Sequence, residues 1–346
     1  MQYVSIGNNA STTEYIKHGV PQGSVLGPLL FLIYINDLNT CIKHCTTRHF
    51  ADDTNLIYTI DPSKLRNRNP TRKLNRDLKS LNNWLLANKI SLNSTKTELI
   101  YFRNKKTPIP SSNIKLNGIK LQQVADVKYV GVILDEHMTF ECHVKLLNAK
   151  LKKSNNLLAI SRHYISKPLL IQIYYGQFYL HLTYGCLLWG GNENTLSKTF
   201  TLQKKAIHLI SFKDPQEPSS PLFKELELLK LSDIIKLNNI LFTHSCLNNQ
   251  TPPIFQKFFK YKDINNHSIN VISTHRNLPG SLEIPPPHSD TSKNSLQFIC
   301  PSIWNSTHRD LSKKYPDKFN GNPQWIKDLS TTALEKILKH HYLEQY

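Results

Sequence analysis

Two adjacent carboxylates, Asp52 and Asp53, are the residues of this 346-residue chain best placed by type and spacing to do chemistry. They follow Phe50 and Ala51, and β-prone residues lie on both sides: His49-Phe50 before, Thr54-Asn55-Leu56-Ile57-Tyr58-Thr59 after. The pattern predicts a β-hairpin with two acids at its tip. Neighbouring carboxylates on a tight turn repel one another, and a hard divalent cation such as Mg2+ relieves that repulsion with the oxygen ligands it prefers. Taken alone, Ala-Asp-Asp reads first as an ordinary turn, because Asp is a common turn residue.

A segment about thirty residues upstream changes the reading. Gly19-Val20-Pro21-Gln22-Gly23-Ser24-Val25-Leu26-Gly27-Pro28-Leu29-Leu30-Phe31 leads into an apolar helix expected over about 25–38. Pro21 and Gly23 fix the preceding loop, and Gly23 permits close backbone approach to a ligand. In this order, Gly-Val-Pro-Gln-Gly-Ser, Leu-Gly-Pro-Leu-Leu-Phe and Phe-Ala-Asp-Asp resemble the palm of the reverse transcriptases encoded by non-LTR (LINE-like, Jockey-type) retrotransposons.

The resemblance implies an α+β fold. A partial polymerase palm, an antiparallel sheet with helices, takes residues 1–138. A helical thumb-like bundle takes 139–213, and a mostly helical C-terminal region without an assigned role takes 214–346. It also implies an RNA-directed DNA polymerase acting on an RNA template, a DNA primer and deoxynucleoside triphosphates by two-metal nucleotidyl transfer. By the same resemblance Asp52 and Asp53 hold Mg2+, and Pro21, Gln22 and Gly23 line the pocket for nucleotide and template, with Phe50 and Ala51 beside the carboxylates. Lys96, in Asn93-Ser94-Thr95-Lys96-Thr97, matches a lysine placed near the triphosphate, where a cation neutralises or protonates the leaving pyrophosphate; from its neighbours alone it is a surface lysine before a strand. Lys128-Tyr129-Val130-Gly131-Val132-Ile133-Leu134-Asp135 resembles the palm–thumb junction, with Tyr129 and Gly131 in the primer-grip region. Gly131 within that expected strand marks either close backbone approach or a packing glycine.

The family's first catalytic strand, of the form Phe-x-Asp-x-x-x-Ala-Phe, has no counterpart before Met1, and neither have the fingers. The chain therefore reads as starting inside the palm, the product of a 5′-truncated copy whose metal site lacks one strand's carboxylates and whose isolated activity is not expected. The alternatives are a non-catalytic nucleic-acid-binding palm–thumb fragment and a decaying copy with no selected role.

Composition agrees with a polyanionic partner. Lys and Arg number 43 against 25 Asp and Glu, a formal charge of +18 spread along the chain. Such cations release counterions from phosphates, although net charge informs binding and not fold. Six cysteines in so long a chain make no disulfide scaffold, and a reducing compartment is the default. Cys41-x3-Cys45 with His44 and His49 is too loose for a structural zinc site. The start shows no signal peptide, and the longest apolar run, Val25 to Ile35, is too short to span a bilayer. The expectation is a soluble intracellular protein without membrane partners.

The elements that must position these residues follow from periodicity. Tyr3, Ile6, Tyr15 and Ile16 suggest a hairpin turned at Gly7-Asn8-Asn9. Leu74, Leu78, Leu81 and Leu85 make 72–88 an amphipathic helix. Its basic side, Arg72, Lys73, Arg76 and Lys79, is either a wet face or a nucleic-acid contact. A strand is expected before Phe102, and Asn117-Gly118 predicts a second hairpin. Helices over about 140–163, 168–189 and 193–210 form a bundle. The first carries Lys145, Lys150, Lys152, Lys153 and Arg162, the better candidate for phosphate contact; the second carries an aromatic stripe, Tyr174 to Tyr184, expected in the core. Proline-rich 214–221 marks a boundary. Helices at about 221–228 and 231–247, a loop over 260–293 and a last helix at about 324–345 complete the chain.

Overall fold

The computed structural model describes residues 3–15, 19–20, 23–60, 70–109, 113–262, 279–287, 293–322 and 324–346. It is an α+β chain that divides into two units, 1–101 with 105–125, and 102–104 with 126–346.

Unit 1 begins with a short hairpin, β1 (Ser5–Ile6) and β2 (Asn9–Ala10), closed by Gly7-Asn8. Helix α1 (Gly27–Ile35) has Pro28 in its first turn, where a missing N–H costs no hydrogen bond. It ends three residues earlier than expected, and a 3-10 turn over Leu38–Cys41 follows. Every face of α1 is apolar, yet only Ile35 is buried. Next comes the expected hairpin of β3 (Thr46–Phe50) and β4 (Asp53–Ile57). Helix α2 (Pro70–Ala87) turns Leu78, Leu81 and Leu85 inward. Leu78 packs with Ile114, Leu116 and Leu121, while Leu81 and Leu85 pack with Leu38. Leu56 of β4 touches both clusters, so α2 is the platform beneath the hairpin.

The strand expected after α2 is reduced to a 3-10 turn, Ser94–Lys96, and the two-residue β5 (Glu98–Leu99). β6 (Lys115–Leu116) and β7 (Ile119–Lys120) form the second hairpin. Asn117 and Gly118 both have positive φ, +50° and +78°, as the favoured two-residue turn requires. β8 (Gln122–Gln123) pairs with β5 in parallel. The antiparallel palm sheet expected is thus, among the described residues of both units, five separate two-stranded pairs, one of them parallel.

Unit 2 opens with β9 (Asp126–Tyr129) and β10 (Val132–Asp135), an antiparallel hairpin where a single strand was expected over 128–135. Val130 and Gly131 carry positive φ, +43° and +80°, and two such residues in succession reverse the chain. The continuous run of β-prone residues hides that turn. Helices α3 (Glu141–Ser161), α4 (Lys167–Tyr174), α5 (Leu180–Thr183), α6 (Cys186–Trp189) and α7 (Glu193–Ser211) follow. A π-helical turn at Tyr175–Tyr179 joins α4 to α5, and Gly185 with φ +62° separates α5 from α6. Together they break the single helix expected over 168–189. Then come α8 (Ser219–Glu225), α9 (Leu231–Leu247), α10 (Pro253–Gln256) and α11 (Leu296–Lys314). α12 (Pro316–Gly321) follows, and the last helix, expected over about 324–345, is divided into α13 (Trp325–Asp328) and α14 (Thr331–Leu343).

One apolar core runs from Val132 to Tyr342. It crosses the proline-rich stretch 214–221, for Leu222 and Phe223 of α8 share it with Ile207 of α7. The aromatic stripe divides: Tyr174 and Phe178 are fully buried and stacked at 5.3 Å, while Tyr175 and Tyr184 reach solvent. The loop expected over 260–293 lies mostly outside the described residues. All six cysteines are free thiols. Among the described residues no helix is long and apolar enough to cross a membrane.

Candidate active site

The β3–β4 ladder ends at the pair Phe50 and Asp53, which leaves Ala51 and Asp52 as a two-residue loop. Ala51 sits at φ +51°, a conformation that costs an L-residue about 1 kcal/mol. Side chains alternate across the pleat. Thr47, His49, Thr54 and Leu56 share the inner face toward α2, while Arg48, Phe50, Asp53 and Asn55 share the outer face. Asp52 and Asp53 are exposed, and neither carboxylate has a partner among the described residues. Oxygen donors left unspent on one turn fit a hard cation as two of the six ligands Mg2+ takes. No group of three or more His, Cys, Asp or Glu able to hold a metal occurs among the described residues.

The inner face is tied down one residue before Phe50. His49 Nε2 lies 2.8 Å from Asn39 Oδ1, and its Nδ1 lies 3.2 Å from Thr54 Oγ1. An amide oxygen only accepts, so Nε2 carries the proton and Nδ1 accepts from the Thr54 hydroxyl. Thr47 Oγ1 also donates to Asn39 Oδ1.

The start of β3 is held by Asp77 of α2. Its buried carboxylate accepts from the backbone N–H groups of His44 at 2.7 Å, Cys45 at 2.8 Å and Lys43 at 3.4 Å. Burial works to raise the Asp77 pKa, but these three donors outweigh it and hold the carboxyl below its usual range. Burial, with Asp77 beside it, pushes the Cys45 thiol up to about 12.

Pro21 and Gln22 lie outside the described residues. Gly23 has φ +86° with open space where a Cβ would stand. Lys96 closes the 3-10 turn, where its N–H meets Asn93 Oδ1 at 3.2 Å. Its exposed ammonium bonds neither Asp52 nor Asp53 among the described contacts.

Tyr129 and Gly131 belong to unit 2. Tyr129 pairs with Val132 to close the β9–β10 ladder. Gly131 is therefore a turn glycine and not the mid-strand glycine expected from sequence. Tyr184 braces that turn: its hydroxyl donates to Val130 O at 2.5 Å, and a Cβ at position 131 would lie 3.1 Å from the Tyr184 oxygen. Asp135 spends its carboxylate on the N–H groups of Phe140 at 2.6 Å, Thr139 at 3.0 Å and His137 at 3.1 Å, at the start of α3.

Asn39, Asp77 and Tyr184 are the supports that sequence reasoning missed. Only Asp77 left a signal, as the single acid in an otherwise basic helix.

Residues 1–134 match the family described as "Reverse transcriptase (RNA-dependent DNA polymerase)". The chain is 29% identical over 264 residues to the probable RNA-directed DNA polymerase from transposon X-element of Drosophila melanogaster, covering 70% of this chain and 28% of that protein. It is 28% identical over 250 residues to the RNA-directed DNA polymerase from mobile element jockey of the same species, covering 69% and 26%. The jockey polymerase of Drosophila funebris is 31% identical over 216 residues, covering 58% and 22%. The chain thus spans about a quarter of the length of these curated relatives. No solved structure matches it.

Proposed function

We propose, from the premise that residues 1–134 belong to the reverse transcriptase family and that the chain's relatives are polymerases of jockey-type non-LTR retrotransposons, that this chain supplies one half of a site for RNA-directed DNA synthesis. The observation that carries the reading is the exposed Asp52–Asp53 pair, held at a hairpin tip with both carboxylates unspent. Asp52 and Asp53 would hold Mg2+, which when bound stabilises charge on a transferring phosphate. The remaining carboxylate share comes from another strand. Asp135 is no substitute, because its oxygens already cap α3.

In this reading residues 1–138 are palm, 139–213 are thumb, and 214–346 form a C-terminal helical region. Ala51 keeps the turn small beside the carboxylates, and Phe50 presents its ring on the same face as Asp53. Pro21, Gln22 and Gly23 line the nucleotide and template pocket, and Gly23 lets backbone approach a base or phosphate without a side chain between them. Lys96 carries a free ammonium suited to neutralising pyrophosphate. The hairpin bearing Tyr129 and Gly131 supports the primer, braced by Tyr184. RNA template, DNA primer and deoxynucleoside triphosphates are the partners.

A second reading, nucleic-acid grip without catalysis, is favoured by the exposed Lys145, Lys150, Lys152 and Lys153 of α3. The two separate in one experiment on the full chain. Fe2+ in place of Mg2+, supplied with hydrogen peroxide as oxidant and ascorbate to re-reduce the iron, generates hydroxyl radicals that cut the backbone near its site. The metal reading expects cuts around Ala51–Asp53, suppressed by excess Mg2+ and absent from the Asp52→Asn, Asp53→Asn variant. Primer extension on an RNA template, run beside it, should depend on the same two residues wherever it occurs. Cuts elsewhere, or extension indifferent to both substitutions, would overturn the reading; RNA binding with no cuts at the turn supports the second one.

A further inference from the structure

Helix α2 has two faces with different destinations. Leu78, Leu81 and Leu85 face inward, and through Leu56 they carry the inner face of the β3–β4 hairpin. On the other side Arg72, Arg76 and Lys79 stand at i, i+4 and i+7, with Lys73 beside them, and all four are exposed. At 100° per residue the first three fall in one stripe about 60° wide and about 10 Å long. The only acid of α2 is Asp77, and it points into the protein with its charge committed to three backbone N–H groups. No ion pair or hydrogen bond engages the four cationic side chains among the described residues.

We propose that this stripe is a nucleic-acid contact of its own, separate from the Asp52–Asp53 turn, binding the phosphates of a single strand without reading bases. Asp53 lies on the outer face of the hairpin, whereas α2 covers the inner face and presents the stripe on its far side. A strand on the stripe therefore runs behind the layer that carries the carboxylates. Two arginines provide planar forks that match phosphate oxygens in pairs. Lipid headgroups offer the same charge, but an interfacial helix needs an apolar face to sink into the bilayer. That face of α2 is already buried against the core.

The inference does not rest on the metal site, and the test keeps the two apart. Binding of a fluorescein-labelled oligouridylate to the full chain is followed by anisotropy across a range of salt concentrations. Each phosphate neutralised on a single strand contributes about 0.7 to the slope of log K against log salt. The Arg72→Gln, Arg76→Gln, Lys79→Gln variant is expected to lower that slope by about 2, at nearly unchanged helix propensity. A charge-matched control in unit 2, Lys224→Gln, Lys313→Gln, Lys318→Gln, is expected to keep it. Asp52→Asn, Asp53→Asn is also expected to keep it, whatever happens to metal. Arg72→Lys with Arg76→Lys should retain the slope while binding weakens, which guards against misfolding as the explanation. An unchanged slope in the stripe variant, an equal loss in the control, or lost retention on phosphatidylserine vesicles with RNA binding intact would each overturn the proposal.

Discussion

Removing the Asp77 carboxylate should free the segment that feeds β3 without touching the turn itself. Asp77 accepts two short bonds, 2.7 and 2.8 Å, and a third at 3.4 Å. Bonds to a charged acceptor contribute about 1.5–3 kcal/mol each, and the long one adds little. Asp77→Ala therefore leaves two buried N–H groups unpaired and costs the segment about 4 kcal/mol. Asp77→Asn keeps an oxygen near His44 and Cys45 but removes the charge and sets an amide donor against the Lys43 N–H. Its cost is about 2 kcal/mol by the same magnitudes. The assay is hydrogen exchange of peptides covering 43–50, because local opening is read there directly. At tenfold per 1.4 kcal/mol, opening should become about a thousandfold more frequent in the Ala variant and about thirtyfold in the Asn variant. Exchange in 43–50 that matches the unmutated chain in both variants would refute the claim that Asp77 holds the approach to the site. The pH dependence has a definite sign. The folded pKa of Asp77 lies below its ordinary 3.8, so the stabilisation is complete above that value and is lost as pH falls through the lower folded value. Peptides 43–50 should lose protection on acidification below about pH 4, and the Asn variant should lack that acid limb.

The remaining expectations concern unit 2. Gly190→Ala would place a Cβ 2.5 Å from the Cys186 carbonyl oxygen and 2.9 Å from Ile235. Backbone cannot yield as a side chain can, so a loss of about 2–3 kcal/mol is expected in denaturant unfolding. Tyr184→Phe removes the donor to Val130 O and should cost about 1 kcal/mol, seen as faster exchange confined to the β9–β10 turn. Gly131→Ala combines φ +80° with the nearby Tyr184 ring and should cost about 1–2 kcal/mol, with the lower part of the range expected when Tyr184 is also truncated.

The amino-acid sequence alone determined the parts whose physics is local. Asp52-Asp53 between β-prone runs dictated a hairpin with acids at its tip, and Asn117-Gly118 dictated another, because few residues accept left-handed backbone. The leucine period of α2 fixed which side is buried, and the motif order around Gly19–Phe31 and Phe50–Asp53 carries the resemblance to reverse transcriptases, whose family model residues 1–134 match.

Tertiary structure decided what depends on distant partners. The Val130-Gly131 reversal is invisible in a run of β-prone residues, since only the pairing of Tyr129 with Val132 and the Tyr184 brace select it. The helix expected over 168–189 breaks where a π-helical turn and Gly185 let α5 and α6 pack on α9. Proline-rich 214–221 reads as a boundary by composition, yet apolar residues on both of its sides bury into one core. Asp77 shows the limit most clearly: its type and position were plain, but whether its charge belonged to solvent, to the basic stripe or to three N–H groups of another segment was settled only when the chain folded back on α2.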